Sequence, residues 1–369
     1  MSRSVSYIFQ LFRVVVMWQG IVGQDAVVEQ FRRRLASGRV NGTFLFVGPP
    51  GVGKRTFALK LAQALLCREG TNGTLDPCGT CEDCRLAQAG NHPDLLAVAK
   101  PADKSEIPLS LLIGPPENRM RQGLCHDIGM KPFRGGRRIA VIDDADDLNE
   151  EGANALLKTL EEPPPRSVII LLSTGADRQL PTIRSRSQLV RFAPLSPTDL
   201  AGLVVEQGIA KPETAERVAI CAQGSLERAR LWVEPALLEF RRELFAIPVA
   251  EPGNSQALAK LLLAFAEGAG KEAGDRRNRL RQGIGLMADF FRAAMHTLAG
   301  AVPSPDVELQ RAATAAAKSL GGDLESVASL VERCLEAVEQ VDRNAHQTMI
   351  VEALCDDLGK SAVLRASLV

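Results

Sequence analysis

Aromatic side chains are scarce in this chain: Tyr occurs once, Trp twice, and aromatics together make up 4% of 369 residues. A surface that stacks successive bases needs several exposed rings, and this sequence has too few to build one. Net charge is also absent, with 44 Lys plus Arg against 44 Asp plus Glu. Bulk attraction to nucleic acid is thereby excluded, so any such contact must come from a local patch or a partner. No apolar run reaches the ~18 residues of a membrane helix, and no membrane partner is expected. The opening MSRSVSYIFQLFRVVVMWQG superficially suggests a secretory signal, but Arg13 splits its apolar part and no small-residue cleavage site follows. Residues 1–16 read as a loose tail or as a misassigned start, with Met17 just before the first domain-like segment. The chain is expected in the cytoplasm, where its 8 cysteines do not form a disulfide framework.

The length predicts two or three domains, and 46% hydrophobic with 24% charged residues is ordinary for a globular protein. Residues 24–37, QDAVVEQFRRRLAS, carry Val27, Val28, Phe31 and Leu35 at helical spacing, and Gly38 closes the helix. TFLFV predicts a strand and TFALKLAQALLC a buried helix. Leu95 to Val98 is a short apolar run, the Pro-rich stretch 101–116 reads as a surface loop, and 117–130 reads as a helix. RRIAVIDDAD predicts a strand ending in acids, EEGANALLKTLEEPPP a helix stopped by prolines, and SVIILLST another buried strand. This alternation implies an α/β domain whose mostly parallel sheet is covered on both faces. Strand signals end beyond Phe192. Residues 196–232 predict a few short helices, and from about 235 the periodicity is helical, with loops near 250–255, 267–275 and 301–306.

The stretch GPPGVGKRT, Gly48 to Thr56, lies between the strand TFLFV and a helix, the context of a phosphate-binding loop. Gly48, Gly51 and Gly53 let backbone amides turn inward on phosphate oxygens, and Lys54 reaches them as a compact charge. The pattern then asks for a hydroxyl to ligate Mg²⁺, and Arg55 stands there; a guanidinium cannot ligate a cation. Thr56 is one residue on, rotated by ~100° around the helix. Asp143 fits a metal-coordinating carboxylate at a strand end. Asp144 follows where many ATPases place a Glu to polarise the attacking water, and is shorter by one methylene. A misplacement of ~1 Å costs on the order of a hundredfold in rate, so efficient hydrolysis is not expected, whereas ATP binding is retained as an expectation. At the tip of SVIILLST, Thr174 is a candidate sensor of phosphate or water.

Four cysteines, Cys67, Cys78, Cys81 and Cys84, cluster at spacings that suit tetrahedral Zn²⁺, with Asp76-Pro77 and Gly79 supplying tight turns. No His or open ligand position accompanies them, so the zinc is expected to be structural. A Cys₄ iron–sulfur cluster is the alternative, disfavoured because no Cys-Pro follows at the usual spacing. Cys125, Cys221, Cys334 and Cys355 read as buried packing residues. For Arg184 and Arg186 in TIRSRSQLVRF two readings stand: a solvated basic turn, or an arginine supplied in trans to a neighbour's nucleotide.

Taken together, GPPGVGK, the cysteine knuckle, HPD at 92–94, IDDAD, NALLKTLEEPP from Asn154 to Pro164, and SRS where SRC is usual resemble the bacterial clamp-loader subunits of the AAA+ class. The resemblance is strong over 18–232; the C-terminal third matches only as a helical domain of suitable size. It implies an AAA+ P-loop domain over 17–193 containing a zinc knuckle at 67–84, a helical lid over 194–234 and a helical collar over 235–369. Lys54-Arg55, Asp143-Asp144 and the chain length are similar to the delta-prime branch rather than to the gamma/tau motors. Glu227 points the same way, standing where motors tend to place a phosphate-reading Arg, with Arg228 displaced by one. The resemblance implies a stator in a five-membered ring with gamma/tau and delta subunits. In that ring Arg186 would reach a neighbouring ATP site while the ring loads a sliding clamp onto primer–template DNA. The alternatives are an ATP-hydrolysing motor of the same complex or another AAA+ ATPase, and a zinc-knuckle binding module outside replication.

Overall fold

The apolar runs of the N-terminal half become neighbouring strands. A computed structural model describes residues 18–70, 75–101, 104–247, 254–319, 323–343 and 345–366; the expectation for 1–16 lies outside them. In chain order the first elements are α1 (Asp25–Ala36), β1 (Gly42–Val47), α2 (Lys54–Leu66), α3 (Glu82–Gln88), β2 (Leu95–Val98), α4 (Leu109–Ile113) and α5 (Leu124–Gly129). There follow β3 (Arg138–Ile142), α6 (Glu150–Glu161), β4 (Ser167–Ser173), α7 (Pro181–Ser185) and β5 (Gln188–Arg191). The remaining elements are helices: α8 (Pro197–Glu206), α9 (Pro212–Cys221), α10 (Leu226–Leu231), α11 (Pro235–Ala246), α12 (Asn254–Glu267), α13 (Ala273–Leu298), α14 (Val307–Ser319), α15 (Leu324–Asp342) and α16 (Gln347–Ala366).

All the strand pairs are parallel, in the order β2-β3-β4-β1-β5. The sheet is covered on both faces, which is why its strands read as continuous apolar runs rather than alternating ones. Successive side chains point to opposite faces. Phe44, Phe46, Val168, Ile170 and Leu172 pack on one side with Phe31 of α1 and Phe57 and Leu61 of α2. Leu45, Val47, Ile169 and Leu171 pack on the other with Leu112, Ile128, Leu156 and Ile183. The α/β class expected from the alternation is the one observed, a parallel sheet with helices packed on both faces.

Three local expectations change. The stretch 101–116 is not merely a surface loop: Ile107 and Leu112 are fully buried, and α4 lies within it. A five-residue helix is too short to leave a periodic signal. Over 117–130 only α5 is α-helical, because the chain folds back so tightly that a Cβ on Gly123 would lie 2.6 Å from Gly114 N. The segment read as a basic turn ends in a fifth strand, β5, which has one buried residue, Val190, and among the described residues pairs only with β1.

The described chain divides into two compact units, with boundaries at 207/208, 222/223 and 228/229. Among the described residues, the regular elements of the second unit are all helices. Its long central helix α13 presents Leu280, Ile284, Met287 and Phe291 to a core shared with Leu262, Val327, Cys334, Leu354 and Cys355. At Gly283 an added Cβ would approach Leu262 Cδ2 to 3.0 Å, so α12 and α13 are in close contact there. Cys125, Cys334 and Cys355 are buried as expected, and Cys221 is half-buried. No helix among the described residues is long and apolar enough to cross a membrane.

Candidate functional site

β1 runs into the phosphate-loop sequence, and Gly48 N donates to Ser173 O at 3.3 Å, tying the loop to the end of β4. Gly51 and Gly53 have φ of 72° and 96°, conformations that cost most residues energy. Gly51 has a second requirement. Leu226 N donates to Gly51 O at 2.9 Å, and a Cβ on Gly51 would lie 2.7 Å from Glu227 N. The segment 224–228 is thus seated on the loop. Lys54 opens α2 and donates through Nζ to Gly48 O at 2.6 Å and Pro49 O at 2.8 Å. Burial pushes its pKa down, opposed by Asp146, Asp143 and Glu227.

Asp143 extends β3, its amide donating to Val98 O at 2.8 Å. Its carboxylate lies beside Arg55, with Nε 3.3 Å from Oδ2. The residue that displaced the hydroxyl therefore sits against the carboxylate that would serve a metal. Thr56 is exposed on α2. Magnesium takes near-octahedral oxygen ligands and is poorly served by a carboxylate already paired with a cation. The donor set does not fit it. Asp144 has the left-handed φ of 52°, and desolvation first, then Asp143 and Asp147, pushes its carboxyl above the usual range.

Thr174 lies at the tip of β4, but a third acid takes its polar groups. Asp146 accepts from Thr174 N at 2.7 Å, Thr174 Oγ1 at 2.6 Å, Ser173 Oγ at 2.5 Å and Gln179 Nε2 at 2.8 Å. Asp146 is visible in IDDAD, yet nothing in spacing alone distinguishes an acid that faces a metal from one that organises a neighbouring strand end. Glu227 lies close enough to Lys54 to stabilise its charge. Arg228 donates to Gln223 Oε1 at 3.1 Å.

Arg186 caps α7. Its Nε lies 3.3 Å from Glu161 Oε2 at the end of α6, and Nη1 donates to Thr182 O at 3.1 Å and Ser185 Oγ at 3.2 Å. It is partly exposed and held in place, while Arg184 is exposed. None of these hydrogen bonds runs to Lys54, Asp143 or Thr174.

The four knuckle sulfurs all lie within 4.8 Å of one another. Cys67 Sγ is 3.6 Å from Cys78 and 3.9 Å from Cys81, and Cys78 is 3.9 Å from Cys84. A tetrahedron of Zn–S bonds of about 2.3 Å puts sulfurs about 3.8 Å apart. Backbone amides of Cys78, Cys81 and Cys84 donate to the sulfurs of Cys67, Cys78 and Cys81. Those from Cys81 and Thr80 pull the Cys78 thiol down to about 6, whereas burial pushes Cys84 up to about 12. The residues fit a structural zinc ion, which would gather α3 onto the end of α2.

The HPD sequence proves to be structural. His92 Nδ1 accepts from Asp94 N at 3.0 Å, so Nε2 carries the proton and donates to Asp83 Oδ1 at 3.2 Å. Asp83, one residue before Cys84, also pairs with Arg68 and Arg134. Asp94, 1% exposed, accepts from Phe133 N at 2.7 Å and Arg134 N at 2.9 Å and pairs with Arg138. The motif thereby links the knuckle to β2 and to the entry of β3.

The family model described as DNA polymerase III, delta subunit, matches residues 23–196. The gamma/tau subunit of DNA polymerase III from Mycobacterium bovis is 32% identical over 222 residues, which cover 59% of this chain and 36% of that protein. The chain therefore spans only about a third of that relative's length. Escherichia coli subunit tau is 32% identical over 223 residues, covering 59% of this chain and 32% of its own length. A gamma subunit-related protein from Thermotoga maritima is similar at 15% identity and a TM-score of 0.37, covering 91% of this chain and 99% of that one. The delta' subunit from Pseudomonas aeruginosa is 31% identical over 239 residues, covering 61% of this chain and 69% of its own length. With that extent of shared sequence, the chain belongs to the family of DNA polymerase III clamp-loader subunits.

Proposed function

We propose that this chain is a delta'-type stator: it completes a clamp loader without hydrolysing ATP itself. The Arg55–Asp143 pair carries the reading, since it places a fixed cation against the carboxylate that a hydrolytic site needs for metal. Two further features support it. Thr174 has committed its hydroxyl proton to Asp146, and Glu227 adds negative charge near Lys54. The partners would be gamma/tau and delta subunits, acting on a sliding clamp and primer–template DNA in the cytoplasm. Residues 17–193 would form the AAA+ domain, 194–234 the lid and 235–369 the collar that holds the ring.

Arg186 would act on the neighbour. Glu161 holds its guanidinium through Nε, and Thr182 and Ser185 through Nη1, which lowers the entropy lost when it meets a phosphate. The test is a complex reconstituted with motor and delta subunits. Arg186→Ala should leave assembly intact and lower ATP turnover, with the defect confined to the adjoining motor site, while Lys54→Ala in this chain should leave turnover unchanged. Unchanged turnover in Arg186→Ala would rule out the trans role. Robust turnover by the isolated chain, abolished by Lys54→Ala, would instead establish the second reading, an ATP-hydrolysing motor. Support for that reading comes from the 32% identity to gamma/tau subunits, which is matched by 31% to a delta' subunit.

A further inference from the structure

Arg55 removes an oxygen ligand and supplies a positive charge in the same place. Its only ion pair among the described residues runs from Nε to Asp143 Oδ2, 3.3 Å away, and its side chain is 67% exposed. The two terminal nitrogens take no hydrogen bond among the described residues and remain available. They form a planar pair of donors, a geometry that takes two phosphate oxygens together. Lys54, the preceding residue, spends its ammonium on Gly48 O and Pro49 O, carbonyls of the loop itself. A phosphate could replace both.

Charge then selects the ligand. A lysine, a magnesium ion and one aspartate sum to +2 around a phosphate cradle. Here Lys54, Arg55 and Asp143 sum to +1, and Glu227 near Lys54 reduces the field further. A site one charge poorer should prefer a ligand with one fewer phosphate, since each unit charge at close range matters in a partly desolvated cleft. We propose that the cradle is a magnesium-independent site for a nucleoside diphosphate, with the Arg55 guanidinium standing in for the metal.

The proposal rests on reading the loop as a phosphate cradle. It is tested on the isolated full chain by calorimetric titration with ADP and ATP, in excess EDTA and in excess magnesium, whereas the trans role of Arg186 is read only in the assembled complex. ADP should bind equally in both conditions, within about twofold, and ATP about fivefold or more weakly than ADP in EDTA. Arg55→Thr should lose about tenfold in EDTA and recover with magnesium; Arg55→Lys, which keeps the charge without the paired nitrogens, should fall between. Lys54→Ala should abolish binding in both conditions. Circular dichroism of each variant reports that the fold is kept, as expected for exposed Arg55. A tenfold gain for the unmodified chain on adding magnesium, tighter binding of ATP than of ADP in EDTA, no ADP binding at all, or binding that survives Lys54→Ala would each overturn the proposal.

Discussion

Asp146 accepts two hydrogen bonds from Thr174, one from its amide at 2.7 Å and one from its hydroxyl at 2.6 Å. A hydroxyl has one proton, so a Thr174 bound in this way has none left for a phosphate oxygen. The tip of β4 is braced internally.

Removing the brace should cost stability. Asp146→Ala leaves three donors, Thr174 N, Thr174 Oγ1 and Gln179 Nε2, without their acceptor, while Ser173 Oγ keeps Gly175 O at 2.6 Å. Hydrogen bonds to a charged group are worth about 1.5–3 kcal/mol, so a loss of about 2–3 kcal/mol is expected even after water replaces some of them. Thr174→Val, which removes one donor and keeps the shape, should cost about 1 kcal/mol. Urea unfolding measures both, and equal midpoints for all three proteins would show that the brace carries no stability.

A second prediction concerns Asp94, whose buried carboxylate joins two loop amides and Arg138. Asp94→Ala strands a guanidinium that is 13% exposed beside the sheet. Breaking a buried pair in this way costs about 3–5 kcal/mol. Amide exchange at Phe133 and Arg134 should accelerate together, and unaltered protection at these two positions would show that Asp94 does not hold the loop.

The knuckle should carry one zinc ion per chain, measurable by elemental analysis. Because the ligands must be thiolates, affinity should fall as pH falls. Extraction with a strong chelator, or Cys84→Ser, should lower the melting temperature and release α3 to proteolysis. Visible absorbance from iron in the purified chain would replace the zinc assignment with a cluster.

Two buried thiols and one half-buried one make stability sensitive to alkali. Burial pushes Cys334 and Cys355 up to about 12, Cys355 also feeling Cys334, and Cys221 up to about 11, against 9.0 for the free side chain. Above pH 9 the unfolded chain sheds these protons while the folded chain keeps them. The folded state then binds more protons, and stability falls as pH rises. The contribution is intact below about pH 9 and is lost progressively through 11–12. Each tenfold difference in proton affinity between the two states is worth about 1.4 kcal/mol. Replacing Cys334 and Cys355 by Ala should flatten the alkaline limb of a stability-versus-pH curve, and a curve of the same slope would show that these thiols titrate normally.

How much is legible in the sequence follows from what each residue needs to declare itself. β1, β3 and β4 are readable because burial on both faces turns a strand into an apolar run. β5 is not, because an edge strand of four residues with only Val190 buried has no run to show. The helix within 101–116 is hidden because five residues span barely more than one turn. The phosphate loop and the four cysteines are readable from spacing, since both need their members close in sequence. The Arg55–Asp143 contact and Asp146's hold on Thr174 join separate strands and helices, and no local pattern encodes them. The HPD sequence stands out without its purpose, which lies in Asp83 and in the amides of Phe133 and Arg134.

That last connection gives the knuckle reach. Arg134 leans on Asp83, the neighbour of Cys84, while its own amide is gripped by Asp94 at the start of β2. A few residues later the same chain enters β3, whose far end delivers Asp143. An ion held by the four cysteines, with no part in phosphate chemistry, would work as a tensioner on the acidic strand. Stripping it should slacken the alignment of those acids well before the sheet itself comes apart.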